Sequence, residues 1–192
     1  MAQYVAFLRG INVGGHKPLR MKDVSAVFET LGLARVKTLL ASGNVLFDSR
    51  KRAPRKLSEK IEDALRKTFG HEIATVIRRI DELQPLLEAN PFRGIRVTPR
   101  TRLFVTFLSE ASKSSLRLPY VSPGGGFRIL YNTGHEICYV LTLGPQWSKN
   151  LREMSILEKE FGKRITTRSW STVGRIIKAS RAAPETIRSS AR

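Results

Sequence analysis

Two short segments carry the side chains best suited to meet a ligand. The first is Arg9-Gly10-Ile11-Asn12-Val13-Gly14-Gly15, with Lys17 just beyond it. The second is Ser42-Gly43-Asn44. Side by side they would offer a guanidinium, an amine, two amides, a hydroxyl and backbone N–H groups that glycines leave uncovered. A helix start after the first segment would add positive potential, which suits a phosphate or carboxylate. The expected ligand-binding residues are therefore Arg9, Gly10, Asn12, Gly14, Gly15, Lys17, Ser42, Gly43 and Asn44. A plain turn accounts for the same residue types, because glycine and asparagine accept left-handed backbone and asparagine bonds its own main chain. Both readings stay open from the sequence.

Other chemistries fail on spacing. From Gly10 to Lys17 there is one residue too many for a Walker loop, and Pro18 stands where a metal-binding hydroxyl is needed. The G-x-G-x-x-G spacing of a dinucleotide site is absent. No serine lies in a G-x-S-x-G elbow, and no pair of carboxylates has an informative spacing. His16, His71 and His135 have no partners at metal-ligand spacing. Cys138 is the single cysteine, set in the apolar run Ile137-Cys138-Tyr139-Val140-Leu141, so it reads as a core residue without a disulfide. No catalytic residue, metal or cofactor is expected.

A third patch, Thr166-Thr167-Arg168-Ser169-Trp170-Ser171-Thr172-Val173, joins the last strand pattern to the last helix pattern. Arg168, Trp170 and Thr172 are secondary ligand candidates. Equally, Ser169 or Ser171 caps the helix and Trp170 anchors it to the core.

The run Tyr4-Val5-Ala6-Phe7-Leu8 leading into the first glycine segment, and its echo Leu40-Ala41-Ser42-Gly43-Asn44-Val45-Leu46-Phe47, resemble the signature of domain of unknown function 1697. This is an uncharacterised, mainly bacterial family. The resemblance extends over about residues 3–178 and implies a fold but no activity. In that family an asparagine usually precedes the closing tryptophan, where this chain has Ser169. Any role for an amide at that place is thereby in doubt.

Charge supplies the other functional lead. The 192 residues contain 34 Lys+Arg against 16 Asp+Glu, a net charge of +18. Such an excess attracts phosphates whatever their sequence. Basic residues crowd positions 49–67 and recur as Arg175, Lys178, Arg181, Arg188 and Arg192. A solvated basic face explains such clusters as well. Nucleic acid or another polyanion is thus the first expected partner, and a small anion at the glycine rim the second. A third alternative is an assembly protein that dimerises through sheet faces. The stacking motif of RNA-recognition modules is missing. No apolar run reaches the roughly 18 residues a membrane span requires. The N-terminus has no signal-peptide pattern, so a cytoplasmic protein is expected, as monomer or homodimer.

The elements that must position these residues alternate regularly. Residues 3–9 read as a strand, and Met21, Val24, Val27, Phe28 and Leu31 fall at helical spacing before Gly32. Two apolar runs flank Ser42-Gly43-Asn44 as a hairpin. A helix over 57–68 ends at Gly70, a strand spans 73–79, and a short helix over 81–89 stops at Asn90-Pro91. The order then recurs: strand 102–108, helix 110–117, a hairpin through Asn132-Thr133-Gly134, a helix to Gly162, strand 165–167 and a last helix near Ser171. The expected fold is α+β, two tandem ferredoxin-like (βαββαβ) units with a trailing helix each. Their bounds are 1–92 and 101–179, with a disordered tail over 180–192. The halves share a pattern only, without residue-level identity. Their first and third strands are continuously apolar, so both faces need cover, from the other sheet or from a partner subunit.

Overall fold

The computed structural model describes residues 1–12, 18–50, 53–144 and 152–182, without the side chains of 152 and 153. Over these residues it is a mixed α+β fold with five helices and two antiparallel sheets. The first half runs β1 (Ala2–Leu8), α1 (Met21–Thr30), β2 (Ala34–Leu39), β3 (Asn44–Ser49), α2 (Pro54–Phe69), β4 (Thr75–Arg79) and α3 (Ile80–Ala89). The second runs β5 (Thr101–Leu108), β6 (Tyr120–Val121), β7 (Phe127–Asn132), β8 (Glu136–Thr142), α4 (Arg152–Phe161), β9 (Ile165–Ser169) and α5 (Trp170–Arg181). Strand order is β2-β3-β1-β4 in one sheet and β6-β7-β8-β5-β9 in the other.

Local chemistry explains the elements. Val24, Val27 and Phe28 give α1 a buried stripe. In α2, Pro54 occupies the first turn, where its missing N–H costs nothing. The helix ends at Gly70, left-handed with φ of 78°. Ser169 caps α5 by accepting a hydrogen bond from the Thr172 N–H at 3.2 Å.

Two expectations need correction. Residues 110–117 form no helix; they run irregularly to β6. The segment Ala111-Ser112-Lys113-Ser114-Ser115 lacks a buried stripe, and serine hydroxyls bond local backbone instead, as Ser112 and Ser114 do. The expected tail starts too early, since α5 continues through Ser180 to Arg181; residues 183–192 lie outside the described part.

Each sheet packs one face on helices and the other on its counterpart. Tyr4, Ala6, Leu8, Val45 and Phe47 face α1 and α2, and Tyr139, Phe127 and Ile137 share a core with Leu157 of α4. Val5, Phe7, Leu46 and Val76 meet Val105, Phe107, Cys138 and Val140 in a common inner core, closed by Leu83 and Leu86 of α3 and Val173, Ile176 and Ile177 of α5. The two sheets therefore cover each other.

The pairing registers reveal a correspondence that the raw sequence hides. In the first half Phe7 lies opposite Asn44 and Val76, and Val5 opposite Arg78. In the second, Phe107 lies opposite Glu136 and Thr166, and Val105 opposite Arg168. Matching the ladders superposes Val5 on Val105, Phe7 on Phe107, Leu8 on Leu108 and Arg78 on Arg168. Residue identity between the halves exists after all, and the Val5/Val105 and Phe7/Phe107 pairs meet in the inner core.

Candidate functional site

The end of β1 and the β2–β3 turn are neighbours. The Leu8 N–H donates to the Gly43 carbonyl at 2.8 Å, and the Asn12 side chain donates to the Ala41 carbonyl at 2.7 Å. Asn12, itself left-handed at φ 57°, also donates to the Leu19 carbonyl at 3.1 Å and accepts from the Leu19 N–H at 2.7 Å. It ties the end of β1 to Leu19 and to the β2–β3 turn. Gly43 has φ of 77°, and a Cβ there would stand 2.7 Å from Ile11 Cδ1, so the close approach admits only glycine. Asn44 is fully buried; its amide donates to the Leu39 carbonyl at 2.9 Å and the Ser42 hydroxyl at 3.1 Å. Gly10 and Ser42 are exposed, whereas Gly14, Gly15 and Lys17 lie outside the described residues.

The second half closes over this rim. Arg9 reaches Glu158 of α4 at 2.5 Å, with about a third of its side chain still exposed (34%). Arg168, only 8% exposed, spends all five N–H groups on the first half and its own strand. Nε donates to Asn44 Oδ1 at 2.6 Å, and Nη2 to the carbonyls of Leu8 at 2.7 Å and Gly43 at 3.1 Å. Nη1 donates to the Thr167 carbonyl at 2.8 Å and the Thr166 hydroxyl at 2.9 Å. Its carbon sits 5.5 Å from the centre of the Phe7 ring. Every acceptor is neutral. Burial accordingly draws the Arg168 pKa down to about 10. Of the other secondary candidates, Trp170 packs edge-on against Phe92 at 5.1 Å and Thr172 serves the helix cap.

A matching rim lies at the other end of the correspondence. Arg78 Nη2 donates to the carbonyls of Leu108 at 2.6 Å and His135 at 3.1 Å, and Nη1 to Ile77 at 2.9 Å. Its Nε, however, meets a carboxylate, Glu136 Oε1, at 2.6 Å. Arg164 binds Glu62 of α2 at 2.7 Å, as Arg9 binds Glu158 of α4. A cleft of about 610 Å³ opens here, with Glu59, Glu62, Glu82, Glu110 and Glu136 in its walls. Sequence reading missed this second rim, because Arg78 and Glu136 stand 58 positions apart.

The link between α3 and β5, with the start of β5, is basic and free of carboxylates. Arg93, Arg96, Arg100 and Arg102 are exposed, and residues 89–109 contain no Asp or Glu. Among the described residues no helix is long and apolar enough to cross a membrane, and no three His, Cys, Asp or Glu side chains group to hold a metal ion.

No curated protein matches the chain. Among solved structures it is similar to the conserved bacterial protein SP0830 from Streptococcus pneumoniae, at 21% identity and a TM-score of 0.68, covering 92% of this chain and 97% of that one. At that identity the likeness concerns the fold alone. A family model described as protein of unknown function (DUF1697) matches residues 1–121. That match spans both rims' β1 and β5 strands and well over half of the chain, and the protein belongs to the DUF1697 family.

Proposed function

We propose that this protein binds nucleic acid or a comparable polyanion, by contacts to phosphates rather than to bases. The observation that carries the reading is the carboxylate-free stretch 89–109 with its exposed Arg93, Arg96, Arg100 and Arg102, in a chain of net charge +18. Arginine meets phosphate through two parallel N–H groups, and its charge persists at any physiological pH. Base stacking on a sheet is disfavoured, because the inner faces of both sheets are spent on each other. Phosphate-led binding without base contacts is independent of sequence and steeply dependent on salt.

We also read each sheet with its helices as a ferredoxin-like unit, spanning 1–92 and 101–179, the second without its first helix. The shared strand order and the superposed registers support this reading.

Titration of a labelled single strand and a labelled duplex at several salt concentrations tests the function. Each phosphate engaged lowers the log–log slope by about 0.7 for single strands and 0.9 for duplex. Four arginines thus give a duplex slope of roughly −3.6. Absence of binding at moderate salt, or a flat slope, eliminates the proposal.

A further inference from the structure

The two rims are built alike and charged oppositely. Their backbone frames coincide: the Leu8 N–H donates to Gly43 at 2.8 Å as Leu108 does to His135 at 2.9 Å. The Arg9 N–H donates to Ala74 at 2.8 Å as Ser109 does to Arg164 at 3.1 Å. The side chains on these frames differ. Arg9, Gly10, Asn44 and Ala74 at the first rim stand where the second has Ser109, Glu110, Glu136 and Arg164. Glu62 and Glu158, each next to a fully buried helix residue (Ile61 and Leu157), serve both rims equally. The first rim is left with one positive charge in excess and the second with one negative.

That difference converges on one buried group. Arg78 is neutralised by Glu136, whereas Arg168 in the equivalent position meets Asn44, the Thr166 hydroxyl, three carbonyls and the Phe7 ring, none of them a carboxylate. A buried charge is costly unless an opposite charge accompanies it. All five Arg168 donors are occupied, so an anion that compensates it sits beyond its hydrogen-bond shell and acts through its field. The residues that adjoin its acceptors Leu8 and Gly43 in the chain and reach solvent are Arg9, Gly10 and Ser42. Arg9 has N–H groups left over from its contact with Glu158, and Ser42, whose oxygen accepts from Asn44, keeps its own hydroxyl hydrogen to give.

We infer that the rim formed by Arg9, Gly10 and Ser42, backed by the uncompensated guanidinium of Arg168, is a binding site for a small oxyanion, a phosphate or a carboxylate. Arg9 and Ser42 touch the anion. Arg168 is a positioning residue that holds both edges of the rim and lends its charge, and Asn44 is the residue that keeps the charge unspent. The second rim, with Glu136 and Glu110 in place of Asn44 and Gly10, rejects anions. This site is separate from the arginine-rich link and does not depend on polyanion binding there.

The test is titration with inorganic phosphate and, separately, acetate, followed by calorimetry and by amide chemical shifts of the isotope-labelled protein. Wild type is expected to bind at least one of them, with shifts at Gly10 and Ser42. Asn44→Asp places a carboxylate on Arg168, as Glu136 does on Arg78, and is expected to weaken binding about tenfold or more, since one charge within a few ångströms is decisive in a partly desolvated place. Should Asn44→Asp fail to fold, the surface variants Arg9→Gln and Ser42→Ala give the same reading. Replacing Arg93, Arg96, Arg100 and Arg102 by alanine is expected to leave phosphate binding intact while abolishing oligonucleotide binding. Failure of both anions to bind wild type, shifts confined to other surfaces, or undiminished affinity in the variants would each overturn the inference.

Discussion

Phe7 and Phe107 stack face to face across the inner core, their ring centroids 4.0 Å apart and their planes 10° from parallel. They occupy equivalent places in the two sheets and are fully buried. Truncating either to alanine is expected to cost about 3–5 kcal/mol, the range for a large buried aromatic. The double mutant should cost less than the sum by about 1 kcal/mol, because each single change already removes the shared contact. Denaturant unfolding of the four proteins measures that coupling, and strict additivity would show that the rings do not support one another.

Removing the carboxylate from the Arg78 clamp separates charge from hydrogen bonding. Glu136→Ala strands a buried guanidinium and is expected to cost about 3–5 kcal/mol. Glu136→Gln preserves an acceptor for Arg78 and reproduces the neutral arrangement already present between Asn44 and Arg168, so its cost should be clearly smaller. Equal destabilisation by the two changes would mean that Arg78 tolerates no neutral partner.

Gly43→Ala is a test of the rim's packing. The added methyl would meet Ile11 at 2.7 Å and Leu8 Cβ at 2.9 Å, on a backbone with φ of +77°. Overpacking of this kind costs about 1–3 kcal/mol. A lowered melting temperature checks it, and an unchanged one would show that the Ile11 loop yields freely.

Cys138 should be silent to thiol reagents in the native protein. It is fully buried, and burial, with a smaller effect of the nearby Glu136 charge, pushes its pKa up to about 12. A folded pKa above the unfolded value means that the folded state retains the proton longer. The thiol's contribution to stability is therefore complete below pH 9.0 and is lost as pH rises towards about 12. Labelling at pH 8 should follow global unfolding as denaturant is added; rapid labelling without denaturant contradicts the sealed core.

Much of this architecture is legible in the chain because it rests on local rules. The stripe of α1, the glycine stop of α2 and the two hairpins each follow from spacing within a dozen residues. The apolar first and third strands announced that both sheet faces would be covered. What remained hidden is long-range. The clamp from Arg168 to Leu8 joins residues 160 positions apart, and no periodicity reports it. Residues 110–117 are ambiguous in the sequence, because their serines permit a helix without demanding one and no buried stripe settles the matter. The neighbourhood of the two segments follows from the strand order, but its detail does not: the amides of Asn12 and Asn44 bond the surrounding main chain, and Asn44 also takes the guanidinium of Arg168 from the last strand.

The shared inner core makes the halves mutual dependants. A fragment ending near Asn90 would keep α3 but strip Val5, Phe7, Leu46 and Val76 of the second sheet and of α5, leaving much of an oily sheet face to water. Its simplest remedy is a second copy of itself, with each Arg78 reaching for the other's Leu8 carbonyl, so that cutting the chain in two turns an intramolecular handshake into a symmetric dimer.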